Sequence, residues 1–180
     1  MWYPTKVTTA PSVEPITLDD VRRHCSVDEA DGFDTELTRL IKAARAHVEK
    51  YCSARFAEQT IEAKCDCFAD LPRLPEAPVK SLTSIAYLDV DGVVQTVANT
   101  VYEERFDGYD AAIVLKPGQH WPAIQCGSRI TITAVVGGDP VDPAVAQAMI
   151  MHVANTFLQR EPVAVEGRTS FDDLLCNHRR

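Results

Sequence analysis

The sequence has no apolar run approaching the roughly 18 residues a membrane-crossing helix needs. Its opening stretch, MWYPTKVTTAPSVEP, lacks the basic-then-apolar pattern of a secretory signal. It has six cysteines but no CxxC pair. The protein is therefore expected to be soluble and to stay in a reducing cytoplasm, where disulfides would not persist. Positive charge is also in short supply. Lys and Arg total 18 against 26 Asp and Glu, a net charge of −8. That balance disfavours gripping a polyanion over the whole surface, although a local basic patch stays open. Catalytic signatures are missing too: no GxSxG elbow, no HExxH, no GxxxxGK[ST] phosphate loop and no GxGxxG turn. No catalytic, cofactor-binding or metal-ligating residue is assigned, and an enzyme assembled from scattered residues is kept as an alternative.

What is present suits a globular domain. The 180 residues are 46% hydrophobic and 24% charged, a composition that can fold without disulfide or metal. Cys65-Asp66-Cys67 on a strand would turn both thiols to one face as small hydrophobes. A zinc site would need two more ligands, and His24, His47, His120, His152 and His178 offer no matching spacing.

Residues 1–16, with Pro4, Pro11 and Pro15, read as an extended arm. Helical order is expected over 17–52. Thr17 caps a short helix from Leu18 to about Cys25, with Asp20 completing a capping box. An acidic loop, Asp28 to Asp34, follows. As an EF-hand it fails: Gly32 at the sixth position puts Val27 first and Thr38 twelfth, where Asp and Glu are required. A second helix runs from about Asp34 to Tyr51, its core stripe Leu37, Leu40, Ile41, Ala44, Val48 and Tyr51.

Over 56–138 the period switches to two, which predicts an inserted antiparallel β unit. Ile61, Ala63, Cys65 and Cys67 alternate with polar residues, and strands are expected at 84–88, 93–97, 102–106, 112–115 and 129–136. Asp91-Gly92 reads as a type I′ turn. Asp142-Pro143 then opens a helix over 142–160 with the stripe Val145, Ala146, Met149, Ile150, Val153, Phe157 and Leu158. That stripe is expected to pack on the 34–51 helix, and His152 is placed on the solvent or subunit-contact side. Residues 161–180 read as a linker and a short amphipathic segment, mobile in the free protein, with Phe171, Leu174 and Leu175 spaced i, i+3, i+4. The fold class is thus α+β: a small helical bundle (two early helices and one long late helix) with an inserted antiparallel β unit and an extended tail.

The joint order of these features resembles a known family. Pro15-Ile16-Thr17-Leu18-Asp19-Asp20-Val21, the acidic loop and the helix Leu37 to Glu49 come first. Leu74 to Leu82, the Ile85-Ala86-Tyr87 strand and the Asp89 to Gly92 turn follow, then Pro117-Gly118-Gln119-His120-Trp121-Pro122, the Ile130 to Val136 strand with Gly137-Gly138, the Pro143 helix and Leu174-Leu175. In this order the chain, over residues 15–180, resembles the head–tail connector (adaptor) proteins of long-tailed bacteriophages and gene transfer agents. Each motif alone is a packing or turn signal; the order carries the specificity. Two departures are a long N-terminal arm and Cys176-Asn177-His178 in place of an apolar-Pro-aromatic ending.

The resemblance implies a structural virion protein, not an enzyme, with no cofactor. It would form a ring, commonly of twelve copies, beneath the portal at the head–tail interface (the neck), after assembly in the bacterial cytoplasm. Its partners would be the portal protein, a neck stopper or tail protein, and further copies of itself. Duplex DNA would pass through the lumen without tight binding, and no membrane is involved. The portal contact would fall on Phe171, Leu174, Leu175, Arg179 and Arg180. Another neck component, a stopper or a tail terminator, is the neighbouring alternative.

Overall fold

The computed structural model describes residues 1–138, 140–159 and 169–179. The chain divides into two compact units, Met1–Ser12 with Glu58–Gly138, and Val13–Ala57 with Asp139–Arg180.

The first unit is the β unit, and it includes the start of the expected arm. Strand β1 (Lys6–Thr9) pairs antiparallel with β2 (Gln59–Cys65), and Trp2 bridges to Cys65. Strands β3 (Val79–Leu88), β4 (Val94–Thr96) and β7 (Ile130–Val136) complete a five-stranded sheet in the order β1-β2-β7-β3-β4. A separate hairpin joins β5 (Tyr102–Asp107) to β6 (Asp110–Leu115). The two-residue period works as cross-strand register: Ile61 faces Ala134, Ala63 faces Ile132 and Cys65 faces Ile130, all buried. Because successive side chains alternate faces, that register turns the apolar set of both strands to the core side together.

Two expectations change here. Strand β2 ends at Cys65, and Cys67 instead precedes a 3-10 turn over Phe68–Asp70, so Cys65 is buried and Cys67 exposed. A type I′ turn needs positive φ at both central residues; Gly92 has φ 79°, but Asp91 does not share it. The loop is organised by the Asp89 carboxylate, which accepts N–H bonds from Asp91 (3.0 Å) and Val93 (2.9 Å) and a side-chain bond from Gln95 (3.1 Å). The backbone bond from Val93, then Gln95, holds the Asp89 carboxyl below its ordinary value. At the other end of the sheet Gly138 adopts φ +85°, and a Cβ there would lie 2.7 Å from Glu58 Cβ, so this position requires glycine.

The Pro-Gly-x-x-Trp-Pro stretch sets Trp121 into the first unit's core. Its ring stacks on Phe68 at 4.7 Å with planes 3° apart, and Tyr102 and Tyr87 flank the pair.

The second unit is helical. Helix α1 (Leu18–Cys25) is capped by Thr17, whose Oγ1 accepts the Asp20 N–H at 3.1 Å. Helix α2 (Asp34–Cys52) buries Leu37, Leu40, Ile41, Ala44 and Val48 of the expected stripe and half-buries Tyr51 at its end. Helix α3 (Pro143–Gln159) packs on α2, and Asp142 accepts the Ala144 N–H at 2.8 Å as its cap. Its stripe sits further round than expected: Ala148 and Ala154 are buried and Leu158 is 69% exposed. In the acidic loop Asp31 accepts the Asp28 N–H around a 3-10 turn, and Asp34, the first residue of α2, pairs with Arg22 of α1. Helix α4 (Ser170–Leu175) packs on α3.

Candidate assembly interface

Of the residues that the resemblance assigns to a portal contact, Phe171, Leu174 and Leu175 lie on α4, and Arg179 follows the 3-10 turn after it. Thr169 caps α4 reciprocally: its Oγ1 accepts the Asp172 N–H (3.3 Å), and Asp172 Oδ2 accepts the Thr169 N–H (2.8 Å) and hydroxyl (2.7 Å). The other oxygen, Oδ1, accepts the Tyr51 hydroxyl of α2 at 2.7 Å. That bond to a carboxylate pushes the Tyr51 phenol above its ordinary value. One acid thus starts α4 and ties it to α2.

The expected anchors are not equivalent. Leu175 is fully buried and Leu174 and Phe171 half-buried within the helical unit. Phe171 lies edge-on to Tyr51 at 5.5 Å and tilted against His47 (5.7 Å) and His152 (5.8 Å). Arg179 places its guanidinium 4.8 Å above the Tyr51 ring. His178 Nε2 sits 3.7 Å from Asp142. In the structure the segment 169–179 is a capped helix and turn lying on its own α2 and α3. Residues 160–168 and Arg180 lie outside the described residues.

His152, expected on the solvent or subunit-contact side, is half-buried. Its ring stacks on His47 at 4.5 Å with planes 7° apart. Burial, then the neighbouring His47, lowers the His152 pKa below its ordinary value. Spacing contained the signal: His152 follows Ala148 by four residues and Met149 by three, which puts it at the edge of the buried stripe.

Elsewhere the titratable groups do structural work. Glu49, 4% exposed, pairs with Arg45 and Arg55 and accepts the N–H groups of Phe56 and Ala57, and Arg45 also reaches Glu14. Burial pushes the Cys52 thiol up to about 11 and Cys65 up to about 12, which makes both poor nucleophiles. Among the described residues no group of three or more His, Cys, Asp or Glu is arranged to hold a metal ion, and no helix is long and apolar enough to cross a membrane.

No protein-family model matches the sequence, and no curated protein does. Solved structures do. A chain in the neck of an empty gene transfer agent particle, computed with six-fold symmetry, superposes with a TM-score of 0.83 at 20% identity, over 98% of this chain and 95% of that one. A chain of the native gene transfer agent virion matches at 0.81 and 21%, and one from the native particle's neck, computed with twelve-fold symmetry, at 0.78 and 22%, both with the same coverage. At these identities the likeness is one of fold, and it spans nearly the whole of both chains.

Proposed function

We propose that this chain is a structural neck protein of a phage-like or gene transfer agent particle, and specifically the ring-forming adaptor that joins the portal of the filled head to the tail. The observation that carries the reading is the end-to-end fold likeness to chains in gene transfer agent particles. The joint order of the sequence motifs supports the adaptor over a stopper or terminator, since two helices precede the β unit and a long helix follows it. Twelve copies would close the ring, the tail side meeting a stopper or tail protein. The net charge of −8 fits a lumen that lets duplex DNA pass, because gripping phosphates requires many Lys and Arg contacts. Nothing in this role calls for catalysis or a cofactor.

The portal contact would use Phe171, Leu174, Leu175, Arg179 and Arg180. Burying each apolar anchor contributes roughly 1.5–3 kcal/mol. Leu175 already has that burial in its own unit, so moving it to a portal exchanges one buried site for another. A single tail then gains little, and many tails on one ring supply the strength through effective concentration.

Mixing the protein with purified portal protein and imaging the complex tests the reading. A ring seated directly on the portal is expected. Attachment only after a different neck protein has bound would identify a stopper instead, and no association with any neck component would overturn the proposal. Removing residues 169–180 should abolish portal attachment; normal attachment by the truncated protein would free the tail of that role.

A further inference from the structure

Helix α4 is six residues long, and beside its buried Leu175 and the Asp172–Tyr51 bond it rests on a pair of stacked imidazoles. Phe171 lies against both rings of that pair. The stack requires at least one neutral ring, since two imidazolium ions 4.5 Å apart repel. We propose that His47, His152 and Phe171 form an acid-sensitive latch, which holds α4 on α2 and α3 at neutral pH and lets it go in mild acid.

Among the described residues no carboxylate forms an ion pair with either ring. Helix α3 contains no Asp, Glu, Lys or Arg, so His152 is its one titratable group. On α2, Lys50 is exposed one turn from His47 and adds like charge, while Arg45 is paired with Glu14 and Glu49. On α4, Asp172 is committed to the Tyr51 hydroxyl and to Thr169, and Asp173 is exposed; in the turn beyond, Arg179 lies over Tyr51 and His178 by Asp142. On α1, Arg22 pairs with Asp19 and Asp34 and Arg23 with Asp20, while His24 is exposed and Cys25 half-buried.

The sign follows from burial. With α4 docked, His152 is neutral more readily than a free histidine, so the released state takes up more protons. The latch is intact above the free-histidine value of about 6.5. It weakens as pH falls from there through the depressed docked value. Release exposes Phe171, Leu174 and Leu175, the side chains the proposed portal contact would use. The latch rests only on α2, α3 and α4, so its failure would leave the ring reading standing, and the reverse.

Hydrogen exchange of the intact protein at pH 7.5 and 5.5, corrected for the intrinsic rate, tests it. Amides of 170–175 should lose at least tenfold protection at the lower pH while those of 40–48 keep theirs. The double variant His47→Phe with His152→Phe, a stack that cannot titrate, should keep α4 protected at both. His47→Phe alone, at an exposed position, serves if the double variant does not fold, and should at least halve the loss. Unchanged wild-type protection, a loss that persists in these variants, or simultaneous loss from 40–48 would each overturn the latch.

Discussion

Among the described residues each unit contains a pair of flat rings stacked within 7° of parallel. In the β unit these are Phe68 and Trp121, 4.7 Å and 3° apart; in the helical unit they are His47 and His152, 4.5 Å and 7° apart. The geometries nearly coincide and the chemistries do not. Phenyl and indole rings do not titrate and bury the same way at any pH, whereas imidazoles bury well only while neutral. The same division runs through the two interiors. The buried set of the β unit is almost wholly apolar, Gln59 and the Ser128 hydroxyl being its buried polar groups among the described residues, while the helical unit holds Glu49 in its interior and half-buries His152. Condition-dependence should therefore concentrate in the helices.

Three substitutions sharpen or break this contrast. The largest effect is expected at Phe68, where truncation to Ala should cost about 3–5 kcal/mol in urea unfolding. The loss should be the same at pH 7.5 and 5.5, and a strong pH-dependence there would break the comparison. Glu49→Ala comes next, at about 3 kcal/mol. It leaves Arg45 and the Phe56 and Ala57 N–H groups without this carboxylate. A loss below about 0.5 kcal/mol, the range of ordinary surface changes, would mean that the buried charge network is incidental. The smallest is Tyr51→Phe, which removes one hydrogen bond to Asp172 and should cost about 1 kcal/mol. Its mark should be local: faster exchange of the α4 amides with little change at 40–48.

The strands and helices were legible where one periodicity governed one face. Ile61, Ala63 and Cys65 alternate because a single register with β7 buries them all, and Leu37 to Val48 recur because one helix faces one core. Legibility failed where a third element intervened. His152 looks solvent-facing until α4 covers it, and Phe171 looks like an unattached anchor until α2 and α3 supply its bed. Cys67 was lost for a local reason, because the chain leaves the strand at Cys65 and the alternation no longer decides which way the thiol points. At the Asp89 loop the Asp-Gly pair marks the turn but not its form, since a carboxylate gathering backbone N–H groups takes the place of the positive-φ pair.

Strand β7 lies at the centre of the five-stranded sheet, yet among the described residues it is the last of the seven strands in chain order. Both β2 and β3 bond to it, across separations of some 70 and 50 residues. During synthesis the earlier strands must wait for Ile130–Val136 before either can complete its ladder. Contacts so distant in sequence close slowly, and until they do the open edges of β2 and β3 are available to other chains. For a protein proposed to act in many copies at one place, crowding on the ribosomes that make it is then the time of greatest exposure to mispairing. Slower expression at lower temperature should raise its soluble yield.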